Sequence, residues 1–90
     1  MNVVQTRLFS NAVKKLHKNQ KQELDEAVKA IIKDPTLGEM KVGDLAGIRV
    51  YKFKMVKQLT LLAYSFEDQT LTLTLLALGA HENFYRDLKK

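Results

Sequence analysis

Residues 48–78, IRVYKFKMVKQLTLLAYSFEDQTLTLTLLAL, decide the fold of this 90-residue chain. Apolar and polar side chains alternate through three runs, 48–55, 59–66 and 70–78, which is the period of half-buried β-strands. Three residues separate each run from the next. Links that short join antiparallel strands, because a parallel crossover needs a dozen or more residues. The stretch therefore predicts two consecutive antiparallel hairpins.

The same alternation assigns the first of these strands two different faces. Tyr51, Phe53 and Met55 point to one side, while Lys52 and Lys54 point to the other. Lysine is rarely buried without a partner. We therefore expect helices to cover the aromatic side and the lysine side to stay open, as a binding surface.

The first part of the chain predicts a short strand and two helices. Residues 3–7 begin with β-branched side chains and read as an opening strand. Ser10 is expected to cap the first helix and Asn19 the second, and Pro35 ends the second because proline disfavours helical geometry in the residue before it. Apolar residues recur at the spacing of a buried helical face: Phe9, Ala12, Val13 and Leu16, then Leu24, Ala27, Val28, Ile31 and Ile32.

The remaining segments are a connector and a terminal element. Residues 35–47 carry three of the four glycines, and residues 80–90 predict a helix or turn. Neither repeats nor an interdomain linker interrupt the chain. Residues 1–90 are therefore predicted to form a single α+β domain, with an N-terminal strand and a two-helix hairpin on one face of an antiparallel sheet and a short C-terminal helix.

Composition excludes several classes of function. The chain has no cysteine, which rules out a disulfide scaffold, thiolate zinc sites and a cysteine nucleophile. The two histidines lack metal-ligand spacing and the glycines are too scattered for a phosphate loop, so neither a metal nor a cofactor is expected. The N-terminus lacks a secretory apolar run, and no stretch reaches the roughly 18 apolar residues of a membrane helix. A cytoplasmic location is expected.

The charge distribution favours an anionic partner. The net charge is +5 and the pI about 9.6. No acidic residue lies between Asp44 and Glu67, a segment that carries four cations: Arg49, Lys52, Lys54 and Lys57. The alternative is a basic edge strand that lysines protect from aggregation. Charge alone leaves both interpretations open.

His81 and Tyr85 are the remaining side chains suited to chemistry. Histidine ordinarily titrates near neutrality, as proton transfer requires, and residues four apart share a face in a helix. Together with Lys52 and Lys54 they can supply the acid, the base and the cations of metal-free RNA cleavage. The alternative is a surface histidine and a tyrosine that packs the last helix on the sheet.

Three short motifs, taken with the order of the elements, resemble the RelE/ParE-type toxins of bacterial toxin–antitoxin modules. They are DLAGIR at 44–49, YKFK at 51–54 and LGAHENFY at 78–85. The resemblance covers essentially the whole chain and implies a compact α+β fold and a neutralising antitoxin partner. It also implies one of two activities: RelE-like members cleave mRNA in the ribosomal A site without a metal, and ParE-like members poison DNA gyrase.

The resemblance also implies roles for particular residues. Lys52 and Lys54 match the paired strand lysines of the RelE type, which hold RNA phosphates and help proton transfer. His81 falls where RelE-type enzymes carry an arginine and YafQ-type enzymes a histidine, and Tyr85 matches the aromatic four residues later. Leu61 replaces the transition-state arginine of RelE, so other cations would have to supply RNA or phosphate binding: Arg49, Lys57 or Arg86.

These matches favour a ribosome-dependent mRNA endonuclease that blocks translation. The gyrase-directed toxin and an inactive toxin-like binding module are the alternatives.

Overall fold

Two helices lie on one face of a five-stranded sheet. The computed structural model describes residues 1–80, 84, 85 and 88. The strands follow the order β1-β5-β4-β3-β2 across the sheet, and the predicted α+β class is confirmed. The elements along the chain are β1 (Asn2–Gln5), α1 (Arg7–Lys14), α2 (Lys18–Lys33), β2 (Glu39–Met40), a 3₁₀ turn (Gly43–Leu45), β3 (Arg49–Met55), β4 (Gln58–Glu67) and β5 (Thr72–Gly79).

The sheet is mixed rather than wholly antiparallel. Strands β3, β4 and β5 form the two predicted antiparallel hairpins. Strand β1 pairs in parallel with β5, and β2 adds a two-residue antiparallel edge to β3. Short links force antiparallel pairing only between consecutive strands. Strands β1 and β5 are separated by most of the chain, so they can pair in parallel. Two residues are also too few for alternation to reveal β2.

Thr6, not Ser10, caps α1. The Thr6 hydroxyl oxygen accepts the N–H of Phe9 at 3.1 Å and donates its proton to the carbonyl of Leu76 at 2.7 Å. Ser10 lies inside the helix and donates to the side chain of Gln5. The start of α1 is thereby fixed to β5, a long-range contact that local capping rules cannot reveal.

The cap of the second helix lies two residues before the predicted Asn19. His17 occupies the cap position, and its backbone N–H donates to the side-chain carbonyl of Gln20 at 2.7 Å. This is the returning half of a capping box, in which the third helical residue reaches back to the cap. Asn19 lies in the first turn and accepts the N–H of Gln20.

The main core fills the space between the helices and the sheet, on what we call the helix-bearing face. The apolar stripes of both helices meet the side chains that β3 and β4 send to that side, and the predicted orientation of Tyr51, Phe53 and Met55 is confirmed. The buried members of the core are Phe9, Leu24, Ile31, Met55, Leu62, Tyr64, Leu73 and Leu75.

The connector after α2 is fastened to this core through Tyr64. The Tyr64 hydroxyl accepts the N–H of Gly38 and donates to the carbonyl of Pro35, both at 2.8 Å. A Cβ atom on residue 38 would lie 2.8 Å from the tyrosine ring, so the close approach requires glycine. Burial raises the pKa of Tyr64, which keeps the hydroxyl protonated and able to donate.

Among the residues described, no helix has the length and apolar character needed to cross a membrane.

Candidate functional site

Lys52 and Lys54 project from β3 on the face opposite the helices, as predicted. Both are exposed, while Phe53 between them is half-buried toward the helices. Two residues of strand span about 7 Å, which separates the two lysine Cα atoms by about that distance. Within the described part of the chain, the ion pair that forms is Lys41 with Glu39, and neither strand lysine takes part in it.

Strand β4 places two leucines beside these lysines. Leu59 lies opposite Lys54 and Leu61 opposite Lys52 in the antiparallel register. Side chains directly opposite each other in such a pair have Cβ atoms about 5 Å apart. We call these four residues, Lys52, Lys54, Leu59 and Leu61, the lysine face. It presents two cations beside the exposed side chain of Leu59.

Leu61 is fully buried, with no exposed surface. It is flanked by Lys52 on β3 and Gly79 on β5 and packs in a small second core with Val50, Ala63, Ala77 and Phe84. A cation at position 61 would have to be buried among apolar side chains, at a large desolvation cost. This position therefore contributes packing to the lysine face and no charge.

The lysine side of the sheet is less open than predicted. Phe84, Tyr85 and Leu88 are helical and pack against the second core. Phe84 is 2% exposed, so it closes one part of the surface while Lys52 and Lys54 stay in solvent. The apolar side chains of the sheet explain the covering. Alternation leaves Val50, Leu61 and Ala63 on this side, and they need a cover.

Tyr85 makes two aromatic contacts that define its position. Its ring meets the ring of Phe84 edge to face, with centroids 5.3 Å apart. The ammonium nitrogen of Lys41 lies 5.7 Å from the centroid of the Tyr85 ring, within cation–π range. Tyr85 therefore shares the lysine side of the sheet with Lys52 and Lys54 and also contacts a third cation.

Lys41 is the site residue that sequence reasoning missed. It follows β2, and its ammonium group donates to the Glu39 carboxylate at 3.2 Å. That hydrogen bond raises the pKa of Lys41, and the electrostatic interaction with Tyr85 raises it further. The side chain therefore stays charged at neutral pH. In the sequence Lys41 lies in a connector without periodicity, and only the pairing of β2 with β3 brings it to this surface.

Arg49 lies on the helix-bearing face, away from the two strand lysines. Its guanidinium donates to the carbonyl of Gly38 at 2.8 Å and to that of Thr36 at 3.3 Å. It is half-buried and fastens the connector beside Tyr64, its partner in the β3–β4 register. The position of Arg49 supports a structural role rather than the predicted contact with phosphate.

Lys57 lies at the tip of the β3–β4 hairpin in an unusual backbone conformation. The two turn residues, Val56 and Lys57, have φ angles of 51° and 67°, the left-handed region normally taken by asparagine or glycine. The Glu23 carboxylate of α2 accepts the N–H of Val56 and holds the turn against the helix. Lys57 is exposed and remains available to an anionic partner.

The predicted site residues His81 and Arg86 lie outside the described residues. Whether His81 approaches Lys52, Lys54 or Tyr85 therefore remains a prediction. Among the residues that are described, no cluster of three or more histidine and carboxylate side chains is arranged to hold a metal ion.

Solved structures of known proteins share this fold at low sequence identity. The toxin–antitoxin complex RelBE of E. coli matches with a TM-score of 0.72 and 16% identity, over 90% of this chain and 96% of the other. The RelBE2 complex of Mycobacterium tuberculosis matches at 0.69 and 19%, over 89% and 96%. A YoeB/ParE toxin of Agrobacterium tumefaciens matches at 0.71 and 16%, over 90% and 99%.

Sequence comparison provides the family. A search of curated protein sequences found no relative. In contrast, the family model described as the ParE-like toxin of type II bacterial toxin–antitoxin systems matches residues 3–89, which is nearly the whole chain. The chain therefore belongs to the ParE-like toxins of type II bacterial toxin–antitoxin systems.

Proposed function

We propose that this toxin arrests translation by cleaving mRNA on the ribosome without a metal ion. The observation that supports this most directly is the lysine face: Lys52 and Lys54 are both exposed and lie beside the exposed side chain of Leu59. Neither takes part in an ion pair within the described part of the chain. Cations held on a rigid strand and exposed to solvent suit an RNA phosphate.

The chemistry requires a base for the 2′-hydroxyl proton, an acid for the leaving 5′-oxygen and positive charge at the phosphorus. Lys52 and Lys54 are assigned the phosphate and its developing negative charge. His81 is assigned the proton transfer, as acid or base. Tyr85 is assigned stacking on a base beside the scissile step, since aromatic side chains are common partners of unstacked RNA bases.

The outer contacts are assigned to cations around this face. Lys57 at the hairpin tip is exposed, and it is proposed, together with Arg86, to contact neighbouring phosphates. Arg49 is left to its structural role, because its guanidinium donates to two backbone carbonyls on the opposite face. The net charge of +5 favours rapid encounter with the ribosome, itself a polyanion.

A cognate antitoxin is the proposed protein partner. Two of the similar solved structures are toxin–antitoxin complexes, and such a partner would restrain a toxin inside the cell that makes it. Charge complementarity favours an acidic antitoxin segment over Lys52 and Lys54, with apolar side chains beside Leu59, which is 46% exposed.

The test removes the two strand cations. A Lys52→Ala, Lys54→Ala variant is expected to lose growth arrest and to lower ribosome-dependent mRNA cleavage about a hundredfold or more, the scale of losing charge stabilisation at a reacting centre. The matched control is Lys29→Ala, Lys33→Ala, which removes the same charge from exposed positions on α2. The proposal fails if the strand variant cleaves mRNA as well as the control does.

Inhibition of DNA gyrase without cleavage is a second candidate, favoured by the burial of Leu61. The position where RelE-type toxins carry a transition-state arginine is here an apolar core residue with no exposed surface. A supercoiling assay with purified gyrase separates the two functions. Inhibition of supercoiling together with intact mRNA on toxin-treated ribosomes would establish this candidate in place of the nuclease.

A further inference from the structure

A pocket of about 370 Å³ opens where α1 passes the end of β5. Strand β1 pairs with β5 only at residues 72–75, so it leaves the last part of β5 to α1. Ala12 of α1 and Lys15, which directly follows that helix, form one wall, Gln58 and Thr60 of β4 form another, and Leu78 of β5 closes the third. Phe84, the edge-to-face partner of Tyr85, also lines the pocket.

The lining combines an apolar surface with polar groups that can hydrogen-bond to the edge of a planar ligand. Ala12, Leu78 and Phe84 supply apolar area, while the amides of Asn11, Gln20 and Gln58 both donate and accept hydrogen bonds. Lys15 is the cation of the lining, and none of the described residues that line the pocket is acidic. A planar ligand with polar edges and one negative charge matches this set of groups.

The pocket adjoins the proposed path of RNA across the sheet. Gln58 pairs with Met55, the residue after Lys54, and both Gln58 and Met55 line the pocket. Ala80 also lines it, and the next residue in the sequence is His81. A strand of RNA bound along Lys52 and Lys54 and continuing over the end of β5 would arrive at this opening.

We propose that the pocket binds the base of one nucleotide of single-stranded RNA beside the scissile step, with the phosphate of that nucleotide on Lys15. The inference rests on the proposed nuclease function and adds a base-binding subsite to it. A base presents two apolar faces and a hydrogen-bonding edge, which the apolar walls and the three amides match. One cation suits one phosphate, whereas a duplex would need a row of them.

The first experiment measures binding with a probe that cannot be cleaved. A single-stranded hexanucleotide with 2′-O-methyl groups at every position is titrated onto the purified 90-residue chain, and the four nucleoside 5′-monophosphates are titrated separately. Amide resonances of Ala12, Thr60 and Ala77 are expected to shift on binding. One of the four monophosphates is expected to bind more tightly than the rest, because the amides read an edge.

Substitutions then locate the contact. Lys15→Ala is expected to weaken binding of the hexanucleotide. It is also expected to lower the slope of log affinity against log salt concentration by about 0.7, the value for one phosphate contact on a single strand. Lys14→Ala is the matched control, since Lys14 is an exposed neighbour in α1 that does not line the pocket. Ala12→Leu fills the pocket and is expected to weaken binding roughly tenfold to a hundredfold, the scale of one lost base contact.

The outcomes separate this inference from the function on which it rests. If Lys15→Ala and Lys14→Ala behave alike and the pocket amides do not shift, the subsite is wrong, even where Lys52 and Lys54 remain essential for cleavage. If Ala12→Leu leaves RNA affinity unchanged and weakens antitoxin affinity, the pocket belongs to a protein partner and the inference is overturned. If cleavage never occurs, the proposed function fails on its own assay, and the titrations still decide whether the pocket binds a nucleotide.

Discussion

The two faces of the sheet are built from the same strands for different purposes. On the helix-bearing face, the main core packs between the helices and the sheet, and the buried hydroxyl of Tyr64 makes two hydrogen bonds. On the other face a small core ends beside two exposed lysines. The contrast teaches that folding depends mainly on the first face, which leaves the second free to hold charge for a partner.

Adjacent leucines of β4 provide the strongest test of this contrast. Leu62 faces the helices and Leu61 the second core, and neither has exposed surface. Leu62→Ala is expected to lower the free energy of unfolding by about 3–5 kcal/mol and Leu61→Ala by about 2–3 kcal/mol, because the smaller core can settle around the gap more easily. Urea denaturation measures both. Equal losses, or a larger loss at Leu61, would contradict the proposed division of the faces.

A second test removes the buried hydroxyl of the helix-bearing face. Tyr64→Phe leaves the Gly38 N–H and the Pro35 carbonyl without their partner. The expected loss is about 1–3 kcal/mol, the cost of unsatisfied buried polar groups. Tyr51→Phe is the control, since Tyr51 is half-buried and stacks on Phe53. Thermal unfolding of the two variants side by side is the measurement, and a shift of equal size in both would refute the role given to the Tyr64 hydroxyl.

The hairpin turn offers a change of the opposite sign. Val56 and Lys57 adopt positive φ angles without being glycine or asparagine, and β-branched valine is especially unfavourable there. Replacing Val56 by Asn and Lys57 by Gly is expected to raise the free energy of unfolding by about 1–2 kcal/mol, since the left-handed conformation costs roughly that much per residue. A variant with Lys57→Ala alone separates loss of charge from relief of strain. A destabilised double variant would show that the turn is not strained.

The smallest expected effect is on the lysine face. Lys52→Ala and Lys54→Ala are each expected to change the free energy of unfolding by less than about 0.5 kcal/mol, as is usual for exposed side chains without specific contacts. Chemical denaturation at low and high salt provides the measurement. A loss of 1 kcal/mol or more would show that these lysines have a structural role, and any loss of activity in the double variant would then need a different explanation.

Much of the fold could be read from the sequence where the signal is local. Alternation placed Lys52 and Lys54 on the side opposite the aromatic residues, and Pro35 marked the end of α2 correctly. Features that depend on distant contacts were missed. Thr6 caps α1 while also bonding to Leu76, and β2 exists only because β3 is beside it. Sequence periodicity carries no information about either contact.

The candidate site divides in the same way. The strand lysines follow from periodicity alone, and the resemblance pointed to position 61 without indicating its burial. The second core around Leu61 forms only when Phe84 folds back onto β4 and β5. Lys41 contacts Tyr85 because the pairing of β2 with β3 brings it to this surface. Arg49 is the opposite case. The sequence grouped it with the basic residues of β3, whereas its guanidinium donates to two backbone carbonyls on the other face.

The parallel pairing of β1 with β5 has a consequence for the timing of assembly. Residues 2–5 pair with residues 72–75, and the Thr6 hydroxyl bonds a carbonyl 70 positions further along the chain. During synthesis β1 therefore has no strand to pair with until β5, the last strand of the sheet along the chain, has left the ribosome. Pairing of segments this far apart in the sequence is slow, because closing a long loop costs conformational entropy. The sheet therefore cannot be completed until the residues of β5 have been synthesised.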